Sequence, residues 1–458
     1  MEQKKGQRLV LFPLPLQGHM NPMLELANIL HSRGFSITFI HTTFNSLNPS
    51  NYPHFTFHSF PDGLSPTEAS TSKNDILSFL LHLNTKCVQP FKDCLATLLS
   101  QAALDVKPYT CLIYDGLLNF TQAVSCSLNL PTVVLRTGGA SSFVVFAAFP
   151  LLWEKGYLPI QESRLEEQVI EFPPLKVKDI PTMNTPNQEK FVEFLKAIIN
   201  AAKASSGIIW NTFEDLEQPS LESLKNQLNI PMFPIGPFHK YNSTSSSSSS
   251  SLLIEDKSSI SWLNTQAPKS VIYVSFGSLA VIGEAQFLEI AWGLANSKHP
   301  FLWVVRPASV NGAEWLESLP KGFVEELGGR GHIVKWAPQK EVLGHVAVGA
   351  FWTHNGWNST LESICEGVPM ICMPCFSDQK VNAAYVSRVW KVGIQLENGK
   401  FERGEIEQSI RKLMKENEGE EIRCRALKLK DKSISCLIQG GSSYQSLNSL
   451  VSHLLSLE

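Results

Sequence analysis

The chain has 458 residues, 39 basic against 42 acidic side chains, a net charge of −3 and a hydrophobic content of 43%. One hydrophobic core rarely organises so long a chain, so we expect two domains. The near-neutral charge shows no basic stripe, which argues against a nucleic-acid partner. No signal peptide or membrane span is predicted, because the apolar run at residues 9–12 is short and residues 130–153 include Arg136 and a glycine pair. Nine scattered cysteines fit reduced thiols, so we expect a cytoplasmic protein without a membrane partner.

The first half of the chain alternates between predicted strands and helices. The predicted strands span residues 9–12, 36–41, 111–114 and 132–135. Apolar residues at helical spacing predict a helix over residues 21–33, which Gly34 ends. Strands separated by helices in this way form a parallel sheet with crossover helices.

His19 and Asp115 each follow a predicted strand of this first sheet. His19 lies just past the first strand and before its helix, and Asp115 ends the strand that begins at Cys111. Ligands of such sheets bind beyond the carboxyl ends of the strands. Imidazole is a base suited to neutral pH, and a carboxylate at its other nitrogen would orient it. The two residues are therefore candidates for a catalytic base and its orienting acid.

Residues 138–146 combine small residues with aromatic and aliphatic ones, which is the composition of a small-molecule pocket. Ordinary helix packing explains the same composition equally well. If the segment lines a pocket, Thr137 and Ser141 are the candidate polar contacts for a bound molecule.

A serine tract, Ser243 and Ser245–Ser251, divides the chain into halves of similar length. Serine runs bury no apolar area and stay flexible, so this tract is predicted to be a linker. The predicted organisation is a first domain at 1–235, a linker at 236–258, a second domain at 259–440 and a closing helix at 441–458. The residues alone leave open whether that helix packs on its own domain or crosses back to the first.

The second half repeats the alternation of the first. Its predicted strands span residues 270–276, 301–305, 349–353 and 370–373, with a strand-like stretch at 333–335. Its predicted helices span residues 284–295 and 357–366. A second parallel sheet is therefore expected, and the fold class is α/β.

The stretch from Trp336 to Gln379 holds the most informative group of polar and aromatic residues. An indole at Trp336 can stack on a base whose edge the Gln339 amide reads. The helix that begins near Asn355-Gly356 presents backbone N–H groups and a positive dipole end, which suit a diphosphate. A carboxylate beside phosphates, Glu362, suits ribose hydroxyls, and the pair Asp378-Gln379 suits a sugar. These groups together predict a nucleotide-sugar site.

The residues from Trp336 to Gln379 resemble, over their whole length, the signature box of the plant secondary-product UDP-glycosyltransferases. The stretch Phe12–Pro22 is similar to the N-terminal motif of that family, and Gly440–Tyr444 to its C-terminal motif. The chain is thereby identified as a member of plant family 1. The resemblance implies two Rossmann-like domains that face each other across a cleft, the GT-B architecture, with the closing helix crossing back to the first domain.

The resemblance also assigns roles to residues of this sequence. The implied UDP-sugar site consists of Ser278, Trp336, Ala337, Gln339, His354, Trp357, Asn358, Ser359, Glu362, Asp378 and Gln379. In that family the matching Trp stacks on uracil, the Glu binds the ribose, and the Asp-Gln pair holds the sugar. A terminal Gln is associated there with glucose.

By the same resemblance His19 is the general base, oriented by Asp115, in a direct displacement that inverts the anomeric carbon and gives a β-glucoside. The UDP leaving group is met by the helix start and His354. UDP-glucose is the expected donor, no metal or other cofactor is implied, and we expect a monomer. The branch that the chain resembles acts on cytokinins, small hydroxy acids, flavonoids and terpenoids. The acceptor therefore stays open among small lipophilic metabolites with a hydroxyl, carboxyl or amine, with Thr137 and Ser141 as candidate contacts.

Other classes lack their motifs in this sequence. A nicotinamide-dependent oxidoreductase needs Gly-x-Gly-x-x-Gly after a strand, a P-loop NTPase needs Gly-x₄-Gly-Lys-Ser/Thr, and a serine hydrolase needs Gly-x-Ser-x-Gly. A non-catalytic nucleotide-sugar binding protein remains a serious alternative. Such a binding protein would lack the catalytic base, whereas His19 and Asp115 are both present in this sequence.

Overall fold

The computed structural model describes residues 7–65, 75–102, 108–183, 185, 187–241, 253–307, 309–310, 315–396 and 402–457. The chain divides into two compact units. Unit 1 comprises residues 1–156, 183–252 and 435–458, and unit 2 comprises residues 157–182 and 253–434. Of the predicted linker at 236–258, residues 242–252, which include the serine tract, lie outside the described residues, whereas 236–241 and 253–258 are described.

Unit 1 is built on a seven-stranded parallel sheet with the strand order β3-β2-β1-β4-β5-β6-β7. The strands are β1 (Arg8–Phe12), β2 (Ser36–Thr42), β3 (Thr56–Phe60), β4 (Tyr109–Asp115), β5 (Thr132–Arg136), β6 (Ile208–Trp210) and β7 (Met232–Pro234). Val10 in β1 is in register with Thr38 in β2 and Leu112 in β4. The strand order reverses at the β1–β4 pair, so the loops that follow these two strands diverge and leave room for a ligand.

Helices follow the strands of unit 1. They are α1 (Gln17–Ser32), α2 (Ile76–Lys86), α3 (Val88–Ala102), α4 (Phe120–Ser127), α5 (Ala140–Ala147), α6 (Phe149–Glu154), α7 (Gln188–Ala204) and α8 (Glu214–Leu228). Because helices pack against this sheet, central strands such as β4 are buried along their whole length. Gly34 follows α1 with a φ of 94°, a conformation that glycine adopts without strain.

The last helix, α17 (Ser442–Ser456), packs into the core of unit 1. Its side chains Leu447, Leu450 and Leu454 are fully buried in the same cluster as Leu9 of β1. Spacings of three and four residues place these leucines on one helix face. The chain therefore returns to the unit in which it began.

Unit 2 is built on a six-stranded parallel sheet with the strand order β10-β9-β8-β11-β12-β13. The strands are β8 (Val271–Ser275), β9 (Phe301–Val304), β10 (Gly331–Val334), β11 (Val348–Thr353), β12 (Met370–Cys372) and β13 (Gly393–Gln395). The helices are α9 (Ser258–Leu263), α10 (Glu284–Ser297), α11 (Phe323–Glu326), α12 (Gln339–Gly344), α13 (Trp357–Glu366), α14 (Gln379–Ala384), α15 (Arg403–Lys415) and α16 (Asn417–Ser435). Here the order reverses at the β8–β11 pair.

Residues 157–182, hereafter the strap, belong to unit 2 although they lie in the first half of the sequence. Val169, Leu175 and Val177 of the strap are buried. This placement departs from the predicted first domain at 1–235. The strap contains short 3₁₀ turns and no long strand or helix among its residues. It therefore has no hydrophobic periodicity from which its place in unit 2 could be predicted.

The two predicted parallel sheets are confirmed, and α13 coincides with the predicted helix at 357–366. Helix α1 begins at Gln17, earlier than predicted, so His19 lies in its first turn and not in a preceding loop. Among the helices that the structure describes, none combines the length and apolarity needed to cross a membrane.

Candidate active site

His19 and Asp115 are in contact at the carboxyl ends of the adjacent strands β1 and β4. The distance from His19 Nδ1 to Asp115 Oδ2 is 2.7 Å. The Asp115 side chain is 1% exposed and the His19 side chain 22% exposed. The second carboxylate oxygen of Asp115 accepts a hydrogen bond from the Leu117 N–H at 3.0 Å, which fixes the carboxylate. When Nδ1–H donates to the carboxylate, Nε2 of the neutral ring carries a lone pair that can accept a proton.

Thr137, which follows β5, contacts the same histidine. Its Oγ1 lies 2.9 Å from His19 Nδ1. The sequence predicts Thr137 as a contact for the acceptor. In this structure its hydroxyl approaches the same ring nitrogen of His19 as Asp115 does, and the two side chains together restrict rotation of the ring.

Ser141 occupies a different environment from the predicted one. Its side chain is 1% exposed, and its Oγ donates to Glu217 Oε1 at 2.6 Å. The backbone N–H groups of Ala140 and Ser141 also donate to this carboxylate, so Glu217 caps the start of α5. Burial raises the pKa of Glu217, while the hydrogen bonds from Ser141 oppose the rise. The Ser141 hydroxyl is thus committed to a structural bond, which departs from the predicted acceptor contact.

The predicted diphosphate residues meet where β8 and β11 end. His354 follows β11, and Gly277 and Ser278 follow β8. A Cβ added to Gly277 or to Gly356 would lie 2.5 Å from the His354 ring. Both glycines are therefore required for the two loops to approach this imidazole, and Gly277 also has a φ of 71°. The structure brings the Ser278 turn and the start of α13 to the same place, as predicted.

The start of α13 has the features of an anion site. Its cap residue is Gly356, which has no side chain that could bond to the first turn. Ser359 and Asn358 lie in that turn. The Trp357 side chain is 3% exposed and lies 6.4 Å from the Trp390 ring, centroid to centroid. Its indole is thus part of the core, which departs from a side-chain contact with the diphosphate.

Desolvation of the His354 ring and, as a smaller cause, the positive charge of nearby Arg306 lower its pKa to about 4, so the imidazole is neutral at pH 7. A neutral ring offers an N–H donor but no net charge at pH 7. The sequence predicts that His354 helps to meet the charge of the leaving group, and a neutral ring would do so by hydrogen bonding alone.

Arg306 is a site residue that the sequence reasoning missed. It follows β9, is 6% exposed, and lines a cavity together with Phe276 and Gly277. Its guanidinium donates to the carbonyl oxygen of Ala280, in the loop that carries Ser278. Burial lowers its pKa to about 10, so it remains a cation at neutral pH. The signal was a charged residue directly after a buried strand, the same rule that singled out His19 and Asp115.

The side chains predicted to contact the nucleobase and the ribose form a hydrogen-bonded cluster. Gln339, at the start of α12, donates from Nε2 to Ser359 Oγ at 3.0 Å and to Glu362 Oε2 at 2.7 Å. Trp336 follows β10 and is partly exposed, and Ala337 beside it is buried. The Trp336 indole is therefore accessible for stacking. The Gln339 amide already donates to Ser359 and Glu362, whereas a carboxylate such as Glu362 can accept further hydrogen bonds.

Asp378 and Gln379 stand at the start of α14. Gln379 is 5% exposed, and its Oε1 accepts hydrogen bonds from the N–H groups of Cys375 at 2.9 Å and Phe376 at 3.2 Å. These two bonds fix the orientation of the amide, so its NH₂ group is the part that remains to donate to a ligand. Asp378 Oδ2 accepts from Asn382 Nδ2 at 3.2 Å. The pair offers one donor and one acceptor side by side.

The family model for "UDP-glucoronosyl and UDP-glucosyl transferase" matches residues 8–434 of the chain. The chain belongs to this family. It is 52% identical over 457 residues to UDP-glycosyltransferase 76B1 of Arabidopsis thaliana, with 100% of both chains covered. It is 44% identical to the flavonol 3-O-glucosyltransferase UGT76E12 of the same plant, with 100% of this chain and 99% of that one covered. The resemblance to plant family 1 UDP-glycosyltransferases is thereby confirmed, and the chain is a UDP-glycosyltransferase.

Solved structures of plant enzymes share the fold. UGT2 of Phytolacca americana, complexed with UDP-2fluoro-glucose and pterostilbene, has a TM-score of 0.79 at 26% identity, covering 98% of this chain and 100% of that one. UGT71G1 of Medicago truncatula, complexed with UDP-glucose, has a TM-score of 0.80 at 25% identity, covering 98% of each. The GT-B fold class with two Rossmann-like domains is confirmed by this likeness.

Proposed function

We propose that this UDP-glycosyltransferase moves glucose from UDP-glucose to a hydroxyl of a small lipophilic molecule, with inversion at the anomeric carbon. The observation that carries the proposal is the buried Asp115 carboxylate on Nδ1 of the partly exposed His19. That arrangement leaves Nε2 to remove the acceptor proton as the new C–O bond forms. Asp115 then stabilises the imidazolium.

The leaving UDP gains negative charge as the glycosidic C–O bond breaks. The groups that we propose to meet it are the start of α13, the Ser278 hydroxyl, the neutral His354 and the buried cation Arg306. Because the fixed dipoles and one guanidinium supply this stabilisation, we propose that the reaction uses no metal ion and no organic cofactor.

Glucose is the proposed sugar because the Gln379 amide presents a fixed donor beside the Asp378 carboxylate. The complex of UGT71G1 with UDP-glucose supports this choice of donor for a related chain. Trp336 would stack on uracil, and Glu362, which can accept more than one hydrogen bond, would accept from the ribose beside its bond from Gln339.

For the acceptor we propose a phenol-like hydroxyl compound. The related UGT2 structure holds pterostilbene, and UGT76E12 is described as a flavonol 3-O-glucosyltransferase. In this chain Ser141 is tied to Glu217, so polar recognition of the acceptor rests on other groups than that hydroxyl. The monomeric state, the cytoplasmic location and the branch within the family stay predictions.

The test is the variant His19→Ala with UDP-glucose and a panel of phenolic, hydroxy-acid, cytokinin and terpenoid acceptors. We expect UDP binding by calorimetry to be retained, while glucoside formation by mass spectrometry falls by about 100-fold or more. His31→Ala is the matched control, because His31 lies exposed in the last turn of the same helix α1. Unchanged turnover in His19→Ala would refute the assigned base, and UDP-galactose or UDP-xylose outperforming UDP-glucose would refute the donor.

A further inference from the structure

The loop that leads into α14 carries the proposed sugar-binding pair. Within this loop Ser377 has a φ of 56°, an unfavourable conformation for a residue other than glycine. Such a conformation persists only where surrounding contacts hold it. On one side the loop is held by Gln379, whose Oε1 accepts the N–H groups of Cys375 and Phe376.

On the other side the loop is held by the last residue of the strap, Thr182. The Thr182 carbonyl oxygen accepts the Ser377 N–H at 3.0 Å. The Thr182 Oγ1 accepts a hydrogen bond from Lys380 Nζ at 2.9 Å. Ser377 and Lys380 flank Asp378 and Gln379 in sequence, so Thr182 is bonded to the residue before the pair and to the residue after it.

Thr182 is itself anchored through Asp179, three residues earlier in the strap. The Asp179 side chain is 1% exposed, and its Oδ2 lies 2.6 Å from Arg388 Nη2. The same oxygen accepts the Lys176 N–H at 2.7 Å. Arg388 lies in the π-helical turn Tyr385–Val389 that follows α14. The end of the strap is therefore fixed to both ends of this short helix.

The Lys380 ammonium is partly buried, so its hydrogen bond to Thr182 replaces hydration that the group has lost. Burial lowers the pKa of the Lys380 ammonium, and the charge of Asp179 partly opposes that effect. A half-buried ammonium that loses a hydrogen-bond acceptor either stays in place and destabilises the folded state or moves toward water. Movement of Lys380 would shift the adjacent Gln379.

We propose that Thr182 is a positioning residue for donor-sugar recognition, setting through Ser377 and Lys380 the placement of Asp378 and Gln379. This inference rests on the proposed sugar-binding role of that pair. Its consequence is that a stretch from the first half of the sequence, the strap, tunes which sugar is accepted, while the uridine and diphosphate contacts, which lie at other loops, are independent of it.

The experiment measures Thr182→Val, which replaces the hydroxyl by a methyl group of similar size and keeps the backbone bond to Ser377. We expect the KM for UDP-glucose to rise by about fivefold to tenfold, from the loss of one hydrogen bond to a charged donor, and the preference for UDP-glucose over UDP-galactose and UDP-xylose to shrink by a similar factor. The dissociation constant of UDP, which has no sugar, should change less than about twofold. Thr182→Ser keeps the hydroxyl and should restore the wild-type preference.

Two further variants make the result decisive. Lys380→Met removes the donor of the Lys380–Thr182 hydrogen bond, whereas Thr182→Val removes its acceptor. If circular dichroism shows that one variant misfolds, the sugar preference of the other variant tests the proposal. Thr265→Val is the matched control, because Thr265 is exposed and bonds to the Trp262 carbonyl in α9 of the same unit. An unchanged sugar preference, or an equal loss of affinity for UDP and UDP-glucose, would overturn the proposal. Failure of the wild-type chain to transfer any sugar would instead overturn the proposed function.

Discussion

His19 and His354 occupy related positions in the two units but have opposite surroundings. Each follows one of the two strands at which the strand order of its sheet reverses, β1 in unit 1 and β11 in unit 2. His19 rests on a buried carboxylate, whereas His354, which is also partly exposed, has the cation Arg306 nearby. The same place in a parallel sheet can thus hold a proton acceptor or a neutral donor, depending on the groups that surround the ring.

A carboxylate beside an imidazole stabilises the protonated ring, so it supports proton transfer. A guanidinium beside an imidazole disfavours the protonated ring, so that ring keeps its hydrogen-bond donor without competing for the proton that the reaction releases. The comparison therefore predicts distinct effects when each neighbour is removed.

The largest expected effect comes from Asp115→Asn. The amide is similar in shape but no longer stabilises an imidazolium, and it favours the wrong tautomer of His19. We expect turnover to fall by about 10²- to 10⁴-fold with UDP affinity unchanged. Single-turnover glucoside formation and UDP calorimetry measure the two quantities. Comparable loss in both would mean that Asp115 supports the fold and not the base.

An intermediate effect is expected for the pH dependence of stability in His354→Gln. The folded-state pKa of His354, about 4, lies below its ordinary value of 6.5, so the unfolded chain binds more protons between these values. His354 therefore contributes stability that is complete above pH 6.5 and is lost as the pH falls toward 4. Over 2.5 pKa units this amounts to about 3 kcal/mol at most.

His354→Gln cannot acquire that charge, so its free energy of unfolding should fall less steeply than that of the wild type between pH 6.5 and 4. Urea unfolding at several pH values measures the slope. The exposed His31, replaced by Gln, serves as the control. Parallel slopes for His354→Gln and the wild type would show that the imidazole is not held neutral.

The smallest expected effect is that of Arg306→Met on nucleotide affinity. If Arg306 supplies the net positive charge near the diphosphate, the variant should weaken UDP binding by about tenfold and leave uridine binding unchanged. Calorimetry with UDP and uridine separates the two. An equal loss for both ligands would indicate that Arg306 serves only to hold the Ala280 loop.

The sequence predicted the two parallel sheets because buried parallel strands are short apolar runs and the helices between them have helical spacing. It also placed His19 with Asp115, and Ser278 with His354, because loops after adjacent strands of a parallel sheet meet at one edge. The strap escaped prediction because irregular backbone has no period. The commitment of Ser141 to Glu217 escaped it because the two residues are 76 positions apart and a buried carboxylate cap leaves no local pattern.

The position of α17 bears on how the protein is made. Leu447, Leu450 and Leu454 complete the core to which Leu9 and Ile113 belong, so the first sheet to be synthesised lacks three of its core leucines until α17 has been synthesised. Burial of a leucine side chain is worth about 2 kcal/mol. An apolar face of the nascent unit 1 therefore stays exposed while unit 2 is synthesised. A chaperone that covers this face would have its largest effect during this interval.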